Sequence, residues 1–250
     1  MAEGRVGGVD RYKIHIVYSL GFLIIFFHFG AGYNKHSLET VFLQDKKMVK
    51  VLDVDTSAFR KTLESKRSYS GFERYGVAMS VDHLRDSVPI DAANQGSAIK
   101  LIKVAPCVNN FAEAPSKHVA TTNWNIFRSC VIPEKWTTDS DGLIYNLTVL
   151  EKHPYSTQTF VPMGRDPEED AYVVNVAPDK DGQPDYENVE AYVFKGNTAV
   201  TYNLGTWHSP MVVLNKTTDF CVVTNENDVS EENCVEVFYS PGIPIRVSKN

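Results

Sequence analysis

Short runs of β-branched and aromatic residues, separated by turn residues, are the dominant pattern along this chain. Between residues 89 and 250 no segment of convincing length has the apolar spacing of a helix, and the runs have the composition of strands. The strands that this pattern predicts span residues 99–104, 125–132, 143–150, 171–177, 190–194, 211–214 and 219–224. Asp141-Gly142 and Gly196-Asn197 are typical of the turns between them. The pattern therefore predicts a mainly β fold that closes into a sandwich or barrel, filled by side chains or enclosing a small ligand.

A short helix is predicted ahead of these strands. Asp55 and Thr56 are good helix caps, and Phe59 and Leu63 lie four residues apart, on one face of a helix that would run to about Arg67. No internal repeat or low-complexity tract interrupts the chain after this point. We therefore expect a single β-rich domain over residues 48–250, preceded by a short helical N-terminal preface.

The N-terminus differs from the rest of the chain. Basic residues precede an apolar run at residues 14–29, which is shorter than the roughly 20 residues that a membrane-spanning helix needs. The run is compatible with a removable signal, a membrane tether, or an extension outside the functional domain, including a translation start upstream of a natural first residue at Met48. We favour the extension over residues 1–47. Contact with a membrane is expected only if residues 14–29 are a genuine anchor.

Composition and charge narrow the class of protein. A hydrophobic fraction of 43% is ordinary for a protein that buries a core, and the net charge of -6 argues against nucleic acid or anionic lipid as the main partner. The 4 cysteines have no C-x-x-C spacing, so neither a zinc knuckle nor a disulfide framework is indicated. Reduced thiols in a cytoplasmic protein are the expected state, with membrane tethering through residues 14–29 as the alternative location.

Two short segments hold the chemistry-bearing residues. In LEKHPYSTQTFVPMG, Glu151 and His153 lie two apart in a predicted strand and so share one face. Pro154 breaks the ladder, and Gln158, Phe160 and Pro162 then follow one another with the same period of two. In YNLGTWHSP, His208 lies in a bend marked by glycine and proline. A carboxylate, an amide and two imidazoles on a β scaffold are typical of a polar pocket. We predict that the two imidazoles and the acid meet at one mouth of the barrel.

Both segments resemble the two motifs of cupins. Glu151 and His153 fall on the paired histidines of the first motif, Gln158 on its acidic residue, and His208 on the histidine of the second. A set with one negative charge and two imidazoles is able to hold a divalent metal through Glu151, His153, Gln158 and His208, although less tightly than a fuller set. The alternative is that these groups hydrogen-bond only to one another and to water.

The amino-acid sequence of the two segments resembles the ureidoglycolate lyase family more closely than it resembles cupins in general. The specific strings are HP-x-x-TQ-x-F-x-PM and Y-x-x-G-x-WH-x-P, and the likeness runs from about Met48 to the strand around Cys234. The resemblance implies a cupin-like double-stranded β-helix barrel, a homodimer, and cleavage of ureidoglycolate to glyoxylate and urea in allantoin breakdown. It also implies a divalent metal such as nickel (Ni²⁺) in some members. One departure is Asn203, where some members have histidine.

The chemistry that this resemblance implies gives each residue a role. Ureidoglycolate is a carbinolamide, so its elimination requires a base for the hydroxyl proton, an acid for the departing urea nitrogen and a cation for the carboxylate. We expect proton transfer by His153, His208 and Glu151. We expect substrate binding by Arg128 as the carboxylate clamp, by Gln158 at the urea amide and by Trp207 as a wall of the pocket. Arg128 in a structural ion pair and Trp207 in the core are the alternatives.

Other classes of function remain open at this point. A ureidoglycolate hydrolase, or another metal-dependent cupin enzyme, would use a similar set of residues but release ammonia rather than intact urea. A non-catalytic barrel that binds a small carboxylate or a sugar would show no turnover. The identity of the reaction product and the effect of His208→Ala distinguish these alternatives.

Overall fold

The computed structural model describes residues 2–6, 9–19, 22–29 and 52–248. The chain divides into two compact units, Met1–Met48 and Val49–Asn250, and each is described by itself. In the first unit the backbone forms three antiparallel strands: β1 (Ala2–Val6), β2 (Val9–Ser19) and β3 (Phe22–Phe29). The apolar run at 14–29 thus contributes to β2 and β3. No helix in the described part of the chain has the length and apolarity to cross a bilayer.

The second unit is built mainly of strands. The strands are β4 (Leu52–Asp55), β5 (Leu63–Lys66), β6 (Gly76–Met79), β7 (Ile90–Ala93), β8 (Ala98–Leu101), β9 (Thr121–Ser129), β10 (Trp136–Thr138), β11 (Gly142–Lys152), β12 (Gln158–Met163), β13 (Asp170–Ala177), β14 (Asp179–Lys180), β15 (Gln183–Pro184), β16 (Glu190–Lys195), β17 (Ala199–Tyr202), β18 (Trp207–His208), β19 (Val212–Val213), β20 (Thr218–Glu226) and β21 (Val235–Ser248). The α-helices are α1 (Val81–Leu84) and α2 (Ser230–Asn233), and single 3₁₀ turns lie at Phe72–Arg74, Asn94–Gly96, Phe111–Glu113, Pro133–Lys135 and Tyr186–Asn188. Each predicted strand overlaps an observed one, which confirms the mainly β fold.

The helix predicted from Asp55 to about Arg67 is wrong. The segment instead begins at the last residue of β4 and contains β5, and both strands pair in parallel with β21. The Thr56 hydroxyl, expected to cap a helix, accepts a hydrogen bond from the backbone N–H of Gly242. Leu63 is buried in the core beneath the sheet, so its burial in this strand outweighs the helical spacing that it shares with Phe59.

A large sheet closes into a barrel. Its strands follow the circuit β11-β18-β13-β16-β5-β21, and β21 returns to pair with β11 along most of their lengths. The space inside this circuit is filled by a hydrophobic core that includes Leu147, Val173, Ala191, Trp207 and Ile243. A closed cupin-like β-barrel of this kind satisfies the backbone hydrogen bonds of its strands without leaving sheet edges.

A second, five-stranded sheet packs against one wall of the barrel. Its order is β6-β17-β12-β20-β9, and a second core between the layers includes Phe160, Val176, Tyr202 and Phe220. Successive side chains of β18 point to opposite sides of the barrel wall. Trp207 therefore points into the first core, whereas His208 points toward the five-stranded sheet.

Candidate active site

Two neighbouring strands place Glu151 and His208 on the same face of the barrel wall. Glu151, at the end of β11, is the direct cross-strand partner of His208 in β18, and His208 also pairs with Val176 in β13. Directly opposed residues in an antiparallel pair point to the same side of the sheet, and Val176 belongs to the core between the layers. Glu151 and His208 therefore face the five-stranded sheet. Glu151 Oε1 lies 3.7 Å from His208 Nε2.

His153 joins this pair just beyond the end of β11. Pro154 cannot donate to a ladder, and the strand ends at Lys152. The carbonyl oxygen of His153 accepts a hydrogen bond of 3.0 Å from the backbone N–H of Gly205, which ties the two histidine segments together. The rings of His153 and His208 lie with their centroids 5.4 Å apart.

Backbone carbonyls determine which ring nitrogen of each histidine carries the proton. Nδ1 of His153 lies 2.6 Å from the carbonyl oxygen of Asn233, and Nδ1 of His208 lies 2.8 Å from that of Thr206. Because a carbonyl only accepts, each Nδ1 must be the protonated nitrogen and donate. Each Nε2 then presents a lone pair to the site, and both of these atoms are buried without a hydrogen-bond partner.

Burial keeps both imidazoles neutral. It lowers the pKa of His208 to about 3, with the nearby His153 ring adding to the effect. Burial also lowers the pKa of His153, against the opposing influence of the Asn233 carbonyl and of the Gln158 side chain beside the ring. At neutral pH the Nε2 lone pairs of both rings are therefore available to accept a proton or to coordinate a cation.

The five-stranded sheet supplies the opposite wall of the site. Gln158 in β12 and Tyr202 in β17 are direct cross-strand partners, so their side chains share the face that points to the barrel. The ring of Tyr202 stacks on that of His208 with centroids 3.9 Å apart. Gln158 Oε1 and the Tyr202 hydroxyl are buried and have no hydrogen-bond partner. Tyr202 is the first residue of the YNLGTWHSP segment but was not predicted as a site residue, because the sequence does not show that its ring stacks on His208.

The group is able to hold a divalent cation. One potential ligand atom from each of Glu151, His153 and His208 lies within 4.8 Å of the others. Backbone carbonyls orient both imidazoles through Nδ1, as is usual for metal-binding histidines, and the Nε2 atoms have no other partner. A second set with the same spacing is formed by Glu151, Cys234 and Glu236 at the half-buried rim. The donor atoms therefore fit a metal ion.

Arg128 is not brought to the histidines. It lies in β9 and makes a bidentate ion pair with Asp219, with Nε–Oδ1 and Nη2–Oδ2 distances of 2.8 and 2.9 Å. The ladder connects Gln158 through Thr224 to Asn123, and Arg128 lies five residues farther along β9, about 16 Å at ~3.3 Å per residue. Its guanidinium is bound to Asp219 and lies far from the histidines. This matches the alternative given above, in which Arg128 forms a structural ion pair.

Trp207 lies on the other side of the barrel wall from His208. It is fully buried in the barrel core, where its indole N–H donates to Asp179 Oδ2 at 2.9 Å. Lys152 places its ammonium 4.4 Å from the centre of the indole ring and 3.0 Å from Asp179 Oδ2. The structure therefore places Trp207 in the core, and neither Arg128 nor Lys152 directs its charge toward the histidines.

An open cavity of about 350 Å³ lies elsewhere in this unit. Lys61, Arg74, Glu187 and Glu190 are among the residues that line it, and none of its lining residues belongs to the histidine cluster. Among its charged groups, Glu190 forms an ion pair with Arg74. The unpartnered lone pairs, rather than this cavity, identify the candidate site.

Comparison with known proteins agrees with this geometry. The family model described as ureidoglycolate lyase matches residues 63–246. A ureidoglycolate lyase of Saccharomyces cerevisiae is 44% identical over 182 residues, which cover 68% of this chain and 90% of that protein. One of Schizosaccharomyces pombe is 36% identical over 176 residues, covering 69% of this chain and 91% of its own length. The matched region contains every residue of the histidine cluster, and the chain belongs to the ureidoglycolate lyase family.

Proposed function

We propose that this protein is a ureidoglycolate lyase, which cleaves ureidoglycolate to glyoxylate and urea in allantoin catabolism. Family membership supports the reaction, and the observation that carries it to this chain is the convergence of Glu151, His153 and His208 with both Nε2 lone pairs directed into the site. Both imidazoles are neutral at pH 7 and present Nε2 lone pairs that accept a proton, and the adjacent carboxylate offsets the cost of the charge that forms in the buried site.

The elimination needs only one proton to move. His208 Nε2 takes the hydroxyl proton of the carbinolamide, and the carboxylate of Glu151, 3.7 Å away, stabilises the imidazolium that forms. As the carbonyl of glyoxylate forms, the C–N bond breaks and its electron pair goes to the urea nitrogen. The same proton then passes to that nitrogen, so that intact urea leaves. His153 faces the same space and is the second candidate for this transfer.

The same atoms are suited to a metal ion. Glu151, His153 and His208 would hold it, and Ni²⁺ is the ion that we propose. Gln158 Oε1 is left to bind the substrate. When bound, the ion would take up the Nε2 lone pairs of both histidines, so it would replace His208 as the group that activates the substrate. Its positive charge would lower the pKa of the substrate hydroxyl and attract the carboxylate. This contribution matters because Arg128 is paired with Asp219, far along the sheet.

Two further properties are part of this proposal. We place the protein in the cytoplasm, which agrees with the absence of a disulfide among Cys107, Cys130, Cys221 and Cys234.

We also propose a homodimer that uses the outer face of the five-stranded sheet. There Trp124 and Ile126 are 71% and 63% exposed on β9, a nine-residue strand at the end of that sheet.

The function is tested by measuring glyoxylate and urea together. The chain truncated before Met48 and the full chain are incubated with ureidoglycolate, with and without a chelator, and we expect equal amounts of the two products from both chains. Ammonia in place of urea would indicate a hydrolase, and a lack of turnover in both metal-loaded and chelated protein would exclude an enzyme of this class. Loss of turnover with chelator and its recovery with Ni²⁺ would establish the metal requirement.

A further inference from the structure

Two polar atoms on the sheet side of the site have no partner. The Tyr202 hydroxyl and Gln158 Oε1 are buried, and neither makes a hydrogen bond. Burying such groups unpaired costs free energy, and proteins pair nearly all of them. Because Tyr202 and Gln158 are direct cross-strand partners, the two unpaired atoms belong to neighbouring side chains on one face. This arrangement is suited to a ligand that pairs with both.

Tyr202 differs from Glu151 and from the Nε2 atoms of the two histidines because it has a proton to donate. Glu151, the two Nε2 atoms and Gln158 Oε1 all act as acceptors. A tyrosine phenol is protonated at neutral pH, so its hydroxyl is available as a donor. The close stacking of its ring on His208 holds the hydroxyl beside the proton-transfer group. The site therefore combines one phenolic donor with several acceptors.

We propose that Tyr202 is a substrate-binding residue that recognises the ureido group. This assignment rests on the proposed function. Its hydroxyl donates to the ureido carbonyl oxygen, and Gln158 Oε1 accepts from the ureido N–H. An amide carbonyl beside N–H groups is the complement of this donor and acceptor pair. The electron pair of the breaking C–N bond delocalises from the nitrogen onto this oxygen, so the bond from Tyr202 strengthens as the leaving group departs.

Tyr202→Phe, which removes only the hydroxyl, tests the assignment. We expect kcat to fall about 100-fold, as for other donors to a developing oxyanion, with a smaller change in KM. The melting temperature is expected to stay the same or rise, because an unpaired buried hydroxyl is removed. The matched control is Tyr172→Phe in the same core, whose hydroxyl donates to the Thr198 carbonyl at 2.6 Å. That variant is expected to show the reverse pattern, a lower melting temperature with unchanged kcat.

Product inhibition distinguishes recognition of the leaving group from a general effect on the site. In Tyr202→Phe the inhibition constant for urea is expected to rise about tenfold, and that for glyoxylate to stay unchanged. Wild-type kcat in Tyr202→Phe, or an equal loss of inhibition by both products, would overturn the assignment and leave the proposed function intact. A wild-type protein without ureidoglycolate turnover would instead overturn the proposed function.

A measurement on the wild-type protein makes the test independent of the folding of the variant. Tyrosine labelled with ¹³C at the ring carbon next to the hydroxyl is titrated with urea, and one tyrosine resonance is expected to shift. If no tyrosine resonance responds at urea concentrations that inhibit turnover, urea does not contact Tyr202 and the assignment is overturned.

Discussion

Single hydrogen bonds to backbone carbonyls determine the chemistry of the two histidines. Asn233 and Thr206 hold Nδ1 of His153 and His208 in the protonated form, which leaves each Nε2 as an acceptor in a buried space. A histidine with both nitrogens exposed to water would exchange between tautomers. The carbonyls therefore fix the tautomer and the orientation of each ring, as a carboxylate does in many metal or proton-transfer sites.

His208→Asn tests the importance of Nε2 directly. The asparagine amide is able to keep the donation to the Thr206 carbonyl that Nδ1 makes, but it lacks an atom at the position of Nε2. We expect kcat/KM for ureidoglycolate to fall at least about 100-fold with an unchanged circular dichroism spectrum. His118→Asn, at an exposed position, serves as the control and should retain wild-type activity. Near wild-type turnover by His208→Asn would exclude a role for Nε2.

The ionised carboxylate of Glu169 stabilises the folded protein. Its partial burial acts to raise its pKa, but hydrogen bonds from the Asp166 N–H, from the buried Arg165 guanidinium and from Lys216 together lower it to about 2. Since the pKa is lower in the folded than in the unfolded state, its stabilisation is present above about pH 4.5 and is lost as the pH falls toward 2.

Glu169→Gln should therefore be less stable than the wild type at pH 7, by about 1 kcal/mol because the carboxylate is partly solvated. The difference should shrink steadily between pH 4.5 and pH 2. Urea denaturation at a series of pH values measures it. Glu168→Gln, which changes an exposed carboxylate in the same loop, is the control. A difference between Glu169→Gln and the wild type that does not vary with pH would contradict this explanation.

Short connections between strands position the site at the scale of secondary structure. The turn from β17 to β18 carries the chain from Tyr202, in the five-stranded sheet, to His208, in the barrel wall. Gly205 in this turn has a φ of +69° and donates its N–H to the His153 carbonyl. The turn thus links the two layers and both histidines, and a left-handed backbone conformation at Gly205 is part of that link.

Gly205→Ala should therefore affect activity as well as stability. The left-handed conformation costs an alanine about 1 kcal/mol, and any relaxation of the turn displaces His208 from Glu151. We expect a lower melting temperature and a loss of kcat of roughly tenfold. Gly164→Ala is a matched control, because Gly164 has a φ of +68° and a similarly open surrounding but lies away from the histidines. It should lose comparable stability with no loss of kcat; equal kcat in the two variants would refute the link.

On the scale of the whole molecule, the layered arrangement leaves one face of the five-stranded sheet outward. Cross-strand neighbours on this face include Trp124 and Ile126 of β9, Val223 of β20 and Val161 of β12. Arg128 and Asp219 lie on the same face and form an ion pair, so they add no net charge to it. The chain as a whole has a net charge of -6. A neutral apolar face on an acidic protein favours association of two copies.

Trp124→Lys should shift the proposed dimer to monomer. A lysine at this position places two like charges together in a two-fold interface and removes a large apolar contact. Sedimentation at several concentrations measures the change. Ile99→Lys alters a similarly exposed residue of the separate β7–β8 hairpin and should leave the dimer intact. Dimerisation by Trp124→Lys at wild-type concentrations would show that the outer face is not the interface.

The accuracy of the sequence-based predictions differed between local and long-range features. The strand around Glu151 was predicted because branching and alternation act locally, and Glu151, His153 and Gln158 were proposed as candidate site residues from their types and spacing. Arg128 was predicted as a carboxylate clamp because its guanidinium suits a carboxylate. Its ion pair with Asp219 could not be read from the sequence, since the two residues lie 91 positions apart. Leu63 had helical spacing, yet the parallel neighbour that draws it into a strand is β21, near the end of the chain.

The sequence by itself determined the strand content, the turns and the chemical character of the two polar segments, because these depend on neighbouring residues. The tertiary structure alone decided that β11, β18 and β13 lie side by side, that Trp207 and His208 face opposite cores, and that Tyr202 stacks on His208. Such contacts arise from strand pairings and packing across long sequence separations. Their free energies are properties of the whole fold, and no local pattern of residues encodes them.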